Sequence, residues 1–162
     1  MSQEALGGPF ENRIHRISGL SFPDIVYRNH DDENIYGVEV KTTKQESWRT
    51  TGNSVLESTR IEGVKRIYLL FARLSEPIQF RWNKYEKCLY DVAVTHSPRY
   101  LVDMDLGGRE TIFDKMGRSY DDIYQMENPA SPIISYYRDL LRNEGRAGDV
   151  WWVDDGSDDP PT

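Results

Sequence analysis

Fourteen residues lie between Asp24, in the dipeptide Pro23-Asp24, and Glu39, in the tripeptide Glu39-Val40-Lys41. Over Ile35 to Thr43, Val38 and Val40 alternate with Glu39 and Lys41, the period of a half-buried strand. Glu39 and Lys41 are two positions apart, so such a strand points both to one face. A second strand signal, rich in β-forming residues, runs from Phe22 to Tyr27, and a polar turn from Asn29 to Asn34 joins the two as a hairpin. If the register brings Asp24 alongside, two carboxylates and one ammonium converge. Two such acids repel each other unless a cation sits between them. Carboxylate oxygens favour Mg²⁺, a hard ion that keeps several waters, and the Val40 carbonyl would add a third protein oxygen. A metal held this way polarises a phosphoryl oxygen and acidifies a bound water. Lys41 would orient that water or stabilise the pentacovalent charge. These are the components of metal-assisted phosphodiester hydrolysis. The plainer alternative is a cross-strand ion pair on a surface hairpin, worth a few tenths to about 1 kcal/mol.

The elements around the hairpin are read from periodicity and caps. Phe10, Ile14 and Ile17 form one helical stripe, which predicts a first helix over about Gly8–Ile17, with Pro9 at its start and Gly19 as its stop. Residues 44–53 read as an exposed polar loop, and Ser54–Glu62 as a helix capped by Ser54 and ended by Gly63. Lys65–Leu74 carries the strongest strand signal, and its continuous apolar run predicts burial on both faces in mid-sheet. Further strands are expected at Ile78–Trp82, Tyr85–Val94 and Arg99–Leu106. A helix is expected over Glu110–Met126, broken near Gly117, and a closing helix over Pro132–Asn143 with Ser131 as its cap. The fold class is α/β (α+β): a central mixed β-sheet flanked by helices.

With these elements in place, Pro23-Asp24 and Glu39-Val40-Lys41 on a hairpin resemble the PD-(D/E)XK nuclease superfamily over about Gly8 to Leu74. The resemblance implies a restriction-endonuclease-like core and Mg²⁺-dependent cleavage of double-stranded DNA, with Mn²⁺ able to substitute. It assigns the metal to Asp24, Glu39 and the Val40 carbonyl, and catalysis to Asp24, Glu39 and Lys41. Glu11, on the expected first helix, matches a supporting glutamate of the superfamily, and Gln45 matches a glutamine that some members carry after the lysine. Within the superfamily a type II restriction enzyme is favoured, acting as a homodimer because one site cuts one strand. The alternatives are a Holliday-junction resolvase, whose relatives are usually far more basic, and a non-catalytic DNA-binding or assembly module that keeps the nuclease fold. Candidate DNA contacts come from the loop after the strand, Thr43, Lys44, Gln45, Trp48 (read as an exposed aromatic) and Arg49, and from the turn bearing His96 and Arg99.

Composition sets the outer limits. The chain has 162 residues and a net charge of −7, with 38% hydrophobic and 12% aromatic residues, enough for a core and too many for a disordered chain. The acidity is local. Glu144–Thr162 holds six acids and one base, whereas Lys41–Arg66 holds six bases and three acids, so the middle is basic. Residues 1–147 are assigned to the nuclease domain and 148–162 to an acidic tail. In that tail Trp151-Trp152 is expected to pack on the domain or on a neighbour, including a recognition domain absent from this chain. No apolar run approaches the ~18 residues of a spanning helix, and the start lacks the basic and apolar regions of a signal peptide. One cysteine, Cys88, fits a reducing cytoplasm and no reactive-thiol role. His15, His30 and His96 are too dispersed for a histidine metal site. Asp103 and Asp105 read as an exposed sheet edge.

Overall fold

The computed structural model describes residues 12–93 and 98–144. Eight strands and three α-helices follow in order: β1 (Ile14–Arg16), β2 (Ile25–Arg28), β3 (Asn34–Thr43), β4 (Arg49–Ser54), β5 (Arg66–Arg73), β6 (Gln79–Lys84), β7 (Leu89–Ala93), β8 (Arg99–Asp103), α1 (Ile112–Met116), α2 (Tyr120–Tyr124) and α3 (Ala130–Asn143), with a 3₁₀ turn at Tyr85–Cys88 where the start of the strand expected over Tyr85–Val94 would lie. The fold is α+β. A five-stranded mixed sheet has the order β1-β2-β3-β5-β6, and a three-stranded sheet has the order β4-β8-β7. In the larger sheet only the β3–β5 pair is parallel; the other neighbours run antiparallel.

Local chemistry explains the turns. Asn29 closes the β2–β3 hairpin, its Oδ1 accepting from the backbone of Asp31 and Glu33 at 3.0 and 2.9 Å. Thr111 and Asp114 form a reciprocal capping box at the start of α1, and Gly117 ends it in the left-handed region at φ 64°. Ser119 then caps α2. The expected break at Gly117 is therefore present, with its cause. The closing helix begins at Ala130, before Ser131, so Ser131 is not its cap; Ile133 and Leu141 are buried as expected, while Leu140 is exposed.

One core joins both sheets and the helices. It contains Val26, Ile67 and Leu69 from the large sheet, Leu89, Tyr100 and Val102 from the small one, and Ile112, Phe113, Ile123 and Ile133 from the helices. β5 is an interior strand, between β3 and the edge strand β6; on its inner face Ile67, Leu69 and Phe71 are buried, while on the other face only the small Ala72 is, and Tyr68 and Leu70 stay partly exposed. Burial is one-sided because the small sheet and the helices share a core with one face only.

Two expected helices are absent among the described residues. Ile14–Arg16, inside the first predicted helix, is a strand paired with Ile25–Tyr27. A stripe of three apolar residues is a weak helical signal, and the β-branched Ile14 and Ile17 suit an edge strand equally well. Ser54 ends β4, and residues 55–62 form turns and a single bridge rather than a helix. Glu57 sits at φ 44°, outside the right-handed helical region, and its carboxylate is buried against Arg60 at 2.9 Å. Arg60 in turn bridges Phe22 and donates to Val64 O. Residues 49–53 of the expected loop, together with Ser54, form β4, paired with β8. β8 is the middle strand of its sheet, so Asp103 is buried rather than on an exposed edge. Among the described residues, no helix is long and apolar enough to cross a membrane.

Candidate active site

The hairpin register decides whether the acids meet. Ile25 pairs with Val38 and Tyr27 with Tyr36, so the residue before β2 falls opposite Glu39. That residue is Asp24. Its Oδ2 accepts from the Val40 N–H at 2.8 Å, which closes the ladder where β2 has not yet begun. A strand residue directs its N–H and C=O to the same edge, so the Val40 carbonyl also points to the Asp24 side. Asp24 is held from both directions. Its carbonyl accepts from Ile17 N–H at 2.8 Å, and Phe22 exchanges backbone bonds with Thr59 and Ile61 at 2.9 and 2.8 Å. Pro23 lies flat on Gly37, where an added Cβ would come within 2.2 Å of Pro23 Cγ. A glycine opposite the proline is thus what lets Asp24 approach β3.

Glu39 and Lys41 share the inner face as their spacing predicts. Lys41 Nζ is 2.7 Å from Glu39 Oε1, with side chains 24% and 8% exposed. Burial pushes the Glu39 carboxyl above its ordinary value; the hydrogen bond and charge of Lys41 oppose this, and the charge and hydrogen bond of Asp24 add to it. Two carboxylates within hydrogen-bonding reach, one of them short of solvation, form a site whose unmet demand is positive charge. The donor set of carboxylate oxygens and one carbonyl fits a hard divalent cation. Among the described residues no third His, Cys, Asp or Glu joins them in a metal-holding group. Glu11 lies outside the described residues, as do His96 and the tail at 148–162.

The loop residues divide. Thr43 ends β3, and its Oγ1 accepts from Gln45 N–H at 3.0 Å; Lys44 and Gln45 are exposed. Trp48, expected to be exposed, is buried at 5% relative exposure, edge-on to Phe71 at 5.7 Å. An indole has too much apolar surface to leave in water when an unfilled place beside Phe71 lies within reach. The guanidinium groups of Arg73 and Arg81 lie over it at 5.3 and 4.3 Å. Arg49 is half-exposed and paired with buried Asp103 at 2.9 Å, and Arg109 holds the same Oδ2 at 2.7 Å. Arg81 also pairs with Asp105. Arg99 stands apart, at the other end of β8, donating to Gly52 O at 3.1 Å.

Sequence reasoning missed Arg73, Arg81 and Arg109. The register places Lys41 beside Phe71 and Phe71 beside Arg81, on one face. At ~4.8 Å per strand, Arg81 stands roughly 10 Å across the sheet from Lys41. The result is an arginine-rich margin beside the acidic pair, partly neutralised by Asp103 and Asp105. Its signal was the parity of Arg73 and Arg81 with Lys41, which becomes readable only once the strand order is known. Cys88 is buried, and its thiol is pushed up to about 12, mainly by burial. No family model, curated protein or solved structure matches the chain, so its own geometry is the ground for a functional reading.

Proposed function

We propose that the chain is a Mg²⁺-dependent endonuclease of the PD-(D/E)XK, restriction type, hydrolysing phosphodiester bonds of double-stranded DNA in the cytoplasm as a homodimer. The observation that carries this reading is the convergence of Asp24 and Glu39 beside Val40, with Lys41 Nζ 2.7 Å from Glu39. Asp24, Glu39 and the Val40 carbonyl would hold the ion, which when bound supplies Lewis acidity to the scissile phosphate and to a water. Lys41 donates to the attacking water or to the phosphoryl oxygens as negative charge grows there. Glu39 keeps the ammonium in place until then. Arg49, Arg81 and Arg109 offer guanidinium forks for the phosphates on either side, and Lys44 and Gln45 reach beyond them. Glu11 enters only through the family resemblance, as a supporting carboxylate.

The test is incubation of the purified chain with supercoiled plasmid and with genomic DNA, in Mg²⁺ and in EDTA. Cleavage that needs the metal and is lost in Lys41→Ala and in Asp24→Ala supports the proposal; Lys41→Ala should still bind DNA near normally. DNA left intact, with no Mn²⁺ binding by calorimetry that depends on Asp24, overturns it.

A further inference from the structure

The face of the large sheet turned away from Glu39 and Lys41 has its own composition. Tyr27 of β2 stands opposite Tyr36 of β3, with ring centroids 6.2 Å apart and planes 25° apart. Tyr36 is followed by Tyr68 of β5 at 6.3 Å, and Tyr68 by Trp82 of β6 at 6.1 Å. Four rings therefore run in a row across four adjacent strands, and Phe80 lies on the same face beside Ala72. Tyr36, Phe80 and Trp82 are 43%, 66% and 73% exposed. A soluble surface rarely leaves so much aromatic area contiguous without a partner.

Among the described strand residues, the charges on this face are all of one sign. By register it carries Arg16 on β1, Arg66 on β5 and Lys84 on β6, and no Asp or Glu occupies it on any described strand. Such segregation is notable in a chain of net charge −7. Arg66 sits among the rings, opposite Tyr36 in register and with Tyr68 as its hydrogen-bonding neighbour, and Glu86, in the turn after β6, adds negative field at its guanidinium. A second copy of the chain brings the same three cations and no carboxylate on this face, so self-association through it gains no charge complementarity. A partner that alternates flat π-systems with negative charge matches both features.

We propose that this face is a stacking platform for single-stranded nucleic acid, with unpaired bases on Tyr36, Tyr68 and Trp82 and phosphates on Arg66, Lys84 and Arg16. Base–aromatic stacking tolerates any sequence, because every base has a π-face. The platform is separate from the acidic pair and does not rest on the nuclease reading.

The experiment is fluorescence anisotropy of labelled dT20 and U20 with the full chain in EDTA, where no metal-dependent cleavage intrudes. Both oligonucleotides should bind, with affinity falling as salt rises. Trp82→Ala should weaken binding about 5- to 140-fold, the range expected for loss of one stacked base. Because Trp82 is largely exposed, this variant should keep the parent circular dichroism and melting temperature. Arg66→Gln should lower the salt dependence. Binding of dT20 but not U20, or the reverse, supports the platform and names the strand it takes. No binding of either at low salt overturns the proposal, as does equal binding by parent and Trp82→Ala. Sedimentation showing a dimer that Trp82→Ala dissociates also overturns it, since the face would then belong to a second copy.

Discussion

Gly37→Ala probes the packing that brings Asp24 to Glu39 without touching either acid. The new methyl carbon would stand 2.2 Å from Pro23 Cγ and 3.2 Å from Val64 Cγ1. Ordinary carbon contacts begin near 3.4 Å, so the proline must retreat by about 1.2 Å. Pro23 is covalently joined to Asp24, whose Oδ2 meets Val40 N–H at 2.8 Å and has no slack for such a shift. Overpacking of this kind costs about 1–3 kcal/mol, a fall in melting temperature of roughly 2–4 °C per kcal/mol for a chain of this size. Misplacing a reacting group by ~1 Å can cost about 10²-fold in rate, and the metal site should weaken together with cleavage. Gly52→Ala is the matched control. Its methyl would meet Tyr85 Oη at 2.6 Å, in the small sheet rather than beside Asp24. Both variants should lose stability, but only Gly37→Ala should lose Mn²⁺ affinity by calorimetry and plasmid cleavage. If Gly37→Ala keeps the parent metal affinity and rate, or if Gly52→Ala loses both to the same degree, Pro23 does not position Asp24 in the way argued.

Three further outcomes are expected. Because the Glu39 carboxyl is raised in the fold, its contribution to stability is present below the ordinary 4.5 and is lost as pH climbs through the raised value. Glu39→Gln, which stays neutral, should therefore gain on the parent as pH rises in EDTA; parallel melting-temperature curves against pH would contradict this. Arg60 is buried with Glu57, receives Tyr124 beneath its guanidinium at 3.5 Å, and donates to Tyr120 Oη at 2.9 Å. Arg60→Ala strands a buried carboxylate and should cost about 3–5 kcal/mol in urea denaturation, whereas a loss under 1 kcal/mol would mean the pair is dispensable. Arg81→Ala should weaken duplex binding alike for all sequences and lower the slope of log affinity against log salt by about one; an unchanged slope would remove Arg81 from the phosphate path.

Legibility followed the range of the interactions. The two strands of the hairpin, the strand at Arg66–Arg73 and the break at Gly117 could be read because alternation, β-branched content and caps are local signals. The first helix failed because Ile14 and Ile17 serve a strand as well as a helical stripe, and pairing with Ile25–Tyr27 chose the strand. The segment after Ser54 failed because a buried Glu57–Arg60 pair holds it in turns, and no local pattern announces a long-range anchor such as the Arg60–Phe22 bridge. Trp48 was misread for a related reason: its burial depends on Phe71 and on arginines 25 and 33 positions away in the chain.

Alternation along one strand was enough to put Glu39 and Lys41 on a common face, since the period of two is built into extended backbone. It could not say that Asp24 would arrive opposite them, that Arg73, Arg81 and Arg109 would gather nearby, or that four rings would line up on the reverse face. Those neighbours come from different strands, and Arg109 from the loop after β8. Register and strand order are set by the packing of the whole sheet, and a slip of one residue would send each strand side chain to the wrong side.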